Sequence, residues 1–217
     1  MATMPAARLP KMGGRLLARI GLVLGLAALL IQFSITIPES METGRGFFAS
    51  LVFYFSFFTI LTNIYVVLVY VAYLRGKPEF FTRPPVRACA ATSIALVMIV
   101  YATMLAGLYA PRGWFLTADI LLHYICPPVF VLWWAIFAAD GTVKLRDLAP
   151  WLTYPLLYFL LICVRWIIVD EMPYPFIDPG NGGWAHVGKG VLTMSIFFFL
   201  ISLMFIVADR AIARLRR

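Results

Sequence analysis

The sequence predicts an all-α membrane protein: six transmembrane helices in one compact bundle, with both termini cytoplasmic. Composition is the first observation behind this. Of the 217 residues, 63% are hydrophobic and 13% charged, against roughly 45–50% and ~25% in a soluble domain. Continuity is the second. The apolar runs are long and nearly free of charge, as a helix of ~20 residues crossing the hydrocarbon core requires. They are not the short alternating segments of a β-barrel. The third is where the cations fall, which sets the orientation.

The expected spans are 16–37, 47–74, 88–110, 115–138, 149–168 and 190–209, forming a single domain over 1–217. The first follows a basic segment, as a signal peptide would. Its 22 apolar residues exceed the ~7–15 of a signal core, and no small-x-small site follows, so it reads as a retained span. The second is rich in Phe, Tyr and Val. The fourth holds Pro127 and Pro128, which break the backbone ladder and predict a kink. Short connections make neighbouring spans antiparallel. Arg8, Lys11, Arg15 and Arg19, then Arg75, Lys77, Arg83 and Arg87, then Lys144 and Arg146, and finally Arg210, Arg214, Arg216 and Arg217 fall on one side. These are fourteen of the 18 Lys and Arg. Arg45, Arg112, Arg165 and Lys189 fall on the other. Lys and Arg collect on the cytoplasmic face, so this bias accounts for the net charge of +8 without a nucleic-acid partner. The longest loop, "VDEMPYPFIDPGNGGWAHVGKG", lies outside; its prolines and glycines deny it a helix. It reads either as an interfacial loop or as a lid over an outward-facing site.

Polar groups inside an apolar span are costly and therefore informative. Asp119 and His123 lie four apart in the fourth span and share one helix face. A carboxylate there can hold the imidazole in one tautomer; the plainer reading is a buried pair that ties helices together. In the second span Ser56, Thr59, Thr62 and Asn63 form a polar stripe. Small hydroxyl residues at this spacing serve close helix packing, or one of them serves chemistry. Thr59 lies ~18 Å along its span from the outer end and His123 ~12 Å along its own. That difference of one turn permits a nucleophile and base pair carried by two spans. Asn63, one turn from Thr59, is the candidate oxyanion donor. Arg165, near the outer end of the fifth span, either snorkels to headgroups, pairs with Asp170 or Glu171, or meets a substrate carboxylate. His186, beside Trp184, reads as an exposed interface residue. Cys89, Cys126 and Cys163 fall within spans and read as buried apolar residues. No metal or cofactor is expected: the two histidines do not suggest a bis-histidine haem, and no zinc, Walker, GxSxG or HExxH pattern occurs.

Six spans with "FFTILTN" in the second, "LLHYICPP" in the fourth and "YPFID" before the sixth resemble the androgen-induced and androgen-dependent-TFPI-regulating family of membrane hydrolases, in its bacterial branch. The resemblance covers roughly residues 15–210. It implies a catalytic threonine at Thr59 and histidine at His123, with a signature at Tyr174, Pro175, Phe176 and Asp178. It further implies hydrolysis of lipid esters, in animal members fatty acid esters of hydroxy fatty acids, within what would here be a bacterial cytoplasmic membrane. The expected function is thus an intramembrane ester hydrolase with membrane lipids as surroundings and substrate. Two alternatives stand beside it: a lipid or proton-linked carrier using Asp119 and His123 as a relay, and a scaffold.

Overall fold

The computed structural model describes residues 12–108 and 110–216. Arg8, Lys11 and Arg217 of the expected cation pattern lie outside the described residues. The described chain is helical, with no strand among those residues. Six helices are long and apolar enough to cross a membrane, the character of an integral membrane protein.

The chain order is α1 (Met12–Glu42), α2 (Phe47–Phe55), α3 (Phe58–Arg75), α4 (Pro84–Val100), α5 (Trp114–Ile120), α6 (Cys126–Trp133), α7 (Leu148–Val169) and α8 (Gly183–Leu215). A π-helical turn, Tyr101–Leu105, extends α4. A second, Leu121–Ile125, joins α5 to α6, and a third, Trp134–Ala138, ends that span.

Helix α4 is the centre of the bundle: 67% of its most apolar stretch is buried, against 11% for α7. Its sequence explains why. Ala88, Cys89, Ala90, Ala91 and Ala95 are small, so neighbours approach on every side. Helix α1 docks on α3 along Gly14, Ala18, Gly21, Gly25 and Ala28, all buried and spaced four, three, four and three apart. A Cβ at Gly21 would overlap the Tyr70 ring, so glycine there is what lets Tyr70 fill the interface. Tyr70 in turn packs edge-on against Phe130 and Trp133.

One end of the bundle gathers Gly14, whose carbonyl accepts from Trp133 Nε1 at 3.2 Å, Leu74, whose carbonyl accepts from Arg15 at 3.4 Å, and Ala139, whose carbonyl accepts from Arg216 at 2.8 Å. There the buried Asp209 carboxylate accepts the backbone N–H groups of Asp140 (2.9 Å) and Val143 (3.1 Å), fixing the connection into α7.

Two expectations are corrected. The span expected over 47–74 is two helices, with extended backbone at Phe57 (φ −91°, ψ 126°) between them. The segment expected to be loop up to residue 190 is helical from Gly183. Gly182 and Gly183 take positive φ at the entry, and the glycines beyond them lie inside α8, where Gly190 packs under the Phe176 carbonyl; a Cβ there would overlap that oxygen. Glycine here marks close approach rather than a helix stop. The kink expected at Pro127 and Pro128 takes the form of the π-helical turn ahead of them, because neither proline can donate to the carbonyl four residues back.

Candidate functional site

The site is built where the second span breaks. Ser56 Oγ bonds back to the Val52 carbonyl at 2.5 Å, and the Ser56 carbonyl accepts from Tyr158 Oη of α7 at 2.9 Å. That carbonyl would otherwise accept from Ile60; instead Ile60 and Leu61 both turn to the Phe57 carbonyl, at 3.0 and 3.2 Å. Helix α3 therefore restarts at Phe58, and Thr59 is its second residue. Among the described residues, the N–H groups of Phe58 and Thr59 have no backbone acceptor, as expected of a helix start.

Across from Thr59 stands His123, inside the π-helical turn between α5 and α6. Thr59 Oγ1 lies 3.4 Å from His123 Nε2. His123 Nδ1 lies 3.1 Å from both the carbonyl oxygen and Oδ1 of Asp119. Both of those are acceptors, so Nδ1 carries the proton and Nε2 turns its lone pair to the threonine hydroxyl. Tyr101, from the π-helical turn after α4, stacks flat on the imidazole, with ring centres 3.7 Å apart and planes within 9°. All three polar residues are nearly withdrawn from solvent: Thr59 and His123 are 9% exposed and Asp119 8%.

The other members of the stripe do different work. Asn63 Nδ2 donates to the Thr59 carbonyl at 2.9 Å, and its side chain is wholly buried. That places it as a brace on the Thr59 backbone rather than a donor facing a cavity. Thr62 meets Tyr154 Oη at 3.0 Å and so ties α3 to α7.

The segment after α7 closes the site. Tyr174 lines the same wall as Phe58, Thr59 and Tyr158. Burial pushes its phenol pKa up, against the polar groups of Thr59 and Phe58 beside it, which lower it. Tyr174 and Phe176 stack with ring centres 5.3 Å apart. Asp178 stands away from Thr59 and His123: its Oδ1 accepts from Gly180 N–H at 2.8 Å and holds the turn into α8. His186 Nε2 and Asn181 Nδ2 both donate to the Pro175 carbonyl at 3.0 Å, so His186 is a loop anchor. Arg165 is 7% exposed, which rules out snorkelling. It donates to the Glu171 carbonyl at 2.9 Å and pairs with its carboxylate, which Arg45 also holds at 2.6 Å. Burial alone would raise the Glu171 pKa; the two arginines outweigh it and hold the carboxyl below its ordinary value.

Two cavities meet at this point. The first, about 400 Å³, is almost entirely apolar and lies between α4, α7, α8 and the loop, with Leu96, Val100, Phe159, Ile162, Met194 and Phe198 among its walls. The second, about 420 Å³, is bounded by α1, α2, α5 and Pro173–Pro175 and contains Asp119 and His123. Thr59, Tyr101, Leu105 and Tyr174 line both. Each volume falls in the range of small-molecule sites. Among the described residues, no three His, Cys, Asp or Glu side chains gather as a metal site.

Sequence reasoning missed Tyr101, Tyr154 and Tyr158. Aromatic residues are ordinary in membrane spans, and nothing local marks these three as facing a site. The chain matches no family model, no curated protein and no solved structure.

Proposed function

We propose that the protein is an intramembrane hydrolase of lipid esters, with Thr59 as nucleophile and His123 as base. The observation that carries this reading is the Asp119–His123–Thr59 chain of contacts, ending at the junction of an apolar cavity and a polar one. The Thr59 proton passes to His123 Nε2 as Oγ1 bonds to the ester carbonyl carbon. The tetrahedral oxyanion then collapses, the C–O bond to the alcohol breaks, and His123 returns the proton to the leaving oxygen. Water, deprotonated by His123, attacks the acyl-threonine; the bond to Oγ1 breaks, the acid leaves, and His123 returns the proton to Thr59 Oγ1. Asp119 holds the imidazole tautomer throughout, as in hydrolase triads. The N–H groups of Phe58 and Thr59, without a backbone acceptor at the start of α3, are the candidate oxyanion donors. One such donor contributes on the order of 10²–10³-fold. A threonine nucleophile has a stiff χ1, and the brace from Asn63 fits the need to hold it still.

The cation bias supports placing the end that contains Gly14 and Arg216 in the cytoplasm, with the site toward the outer leaflet of what the family resemblance suggests is a bacterial inner membrane. The test is covalent labelling by a fluorophosphonate probe in detergent or liposomes. Wild type labels at Thr59, Thr59→Ala abolishes labelling, and His123→Ala slows it by about 10²–10⁴-fold. Equal labelling of all three proteins rules the assignment out.

A further inference from the structure

The hydrolase reading leaves open which half of an ester lies in which cavity, and the position of His123 decides it. The base that takes the Thr59 proton must return it to the leaving alcohol oxygen, so the alcohol half lies on the histidine side. His123 lines the second cavity and not the first. The acyl chain then occupies the apolar cavity between α4, α7 and α8, whose walls offer it no charge.

The second cavity has a definite electrostatic character. Its wall includes two carboxylates, Asp119 beside the histidine and Glu39 on α1, together with the neutral polar groups Gln32 and Thr36. Among the described residues, no Lys or Arg lines it. Arg45 and Arg165 stand over the ring of Phe53, another wall residue, at 4.6 and 5.6 Å from its centre. Both are bound to the Glu171 carboxylate, so this group contributes one net positive charge against two negative ones. Asp119 is 8% exposed, so a like charge brought near it is poorly screened, whereas Glu39 stands exposed at the rim of the cavity and acts on a like charge entering there. Resting on the hydrolase reading, we infer that the substrate is an ester whose alcohol half carries no negative charge, such as a glyceride, and that Glu39 is a specificity-determining residue that rejects alcohols bearing a carboxylate.

The inference sets this chain apart from the expectation raised by the resemblance, because a hydroxy fatty acid is an alcohol that bears a carboxylate. A matched pair tests it: a fatty acid ester of a hydroxy fatty acid, and the methyl ester of that same molecule, which differs only in the charge. Purified protein in neutral detergent, assayed well above the carboxylate pKa, should hydrolyse the methyl ester with a kcat/KM about tenfold or more above that of the free acid. Glu39→Gln should narrow the ratio and Glu39→Lys should narrow it further or invert it, and fluorophosphonate labelling of Thr59 in both variants reports that the site is folded. A wild-type preference for the free acid, or equal rates, overturns the inference while leaving the hydrolase intact. A ratio unmoved by Glu39→Lys overturns the role of Glu39. Failure to hydrolyse either ester, with no labelling of Thr59, overturns the hydrolase reading itself and the inference with it.

Discussion

At the scale of single residues, the polar stripe of the second span divides by partner. Ser56 back-bonds to its own helix, Thr62 holds α7, Asn63 braces the backbone, and Thr59 alone combines contact with His123 and a place on both cavities. The four-residue spacing of Asp119 and His123 was legible in the sequence because one helical turn brings i and i+4 together. The pairing of His123 with Thr59, 64 positions apart, was legible only as matching depth. The stacking of Tyr101 on the imidazole was not legible at all, since it depends on how α4 is rotated. The tautomer argument yields a direct expectation. Asp119→Asn replaces one acceptor oxygen with an amide that can present a donor to Nδ1, so the wrong nitrogen of His123 tends to carry the proton. Steady-state kinetics should show kcat reduced by on the order of 10²-fold or more with KM little changed; an unchanged kcat would make the carboxylate a packing partner only.

At the scale of elements, the site depends on interruptions in helices. The break at Ser56 and Phe57 turns Thr59 into a helix-start residue, and His123 and Tyr101 each lie in a π-helical turn. Such turns recur at functional sites because they redirect side chains that a regular helix would aim elsewhere. Pro127 and Pro128 announced the interruption in the fourth span. Nothing announced the one in the second, because it comes from Tyr158 of α7 capturing the Ser56 carbonyl. The glycines before the last span were misread for a related reason: Gly190 serves the passage of the Phe176 carbonyl over α8, a contact between segments. Gly190→Ala should therefore leave the helical content measured by circular dichroism intact while lifting the Tyr174–Phe176 segment. Limited proteolysis should cut within 170–182 faster than in wild type. Equal cutting with intact helices would show that the segment is not held there.

At the scale of the whole molecule, one glutamate ties three parts together. Glu171 joins Arg45 of the α1–α2 turn to Arg165 of α7 and to the segment that carries Tyr174. Its pKa is lowered in the fold, so the tie contributes fully above the ordinary glutamate value of about 4.3 and is lost as pH falls through the lower folded value. Hydrogen exchange over 170–182, corrected for intrinsic rates, should rise only as the solution becomes more acidic than that range. Glu171→Gln should show the raised exchange at neutral pH, and a wild-type profile flat through the acid range would remove Glu171 as the tie. Helix α7 depends on such side-chain ties from Tyr154, Tyr158 and Arg165, because so little of its own surface is buried.

The sequence alone determined the helical class and the six apolar helices, because the length of an apolar run and its freedom from charge are local properties that a hydrocarbon environment imposes on any chain. Only the tertiary structure decided that the second span breaks, that Asn63 braces while Thr59 faces His123, and that two cavities of different character meet between them. Those outcomes depend on which groups from distant segments arrive at one point: a phenol at a carbonyl, a ring on an imidazole, a carboxylate between two arginines. Such meetings depend on helix rotation and depth, which no local pattern in an almost wholly apolar sequence can encode.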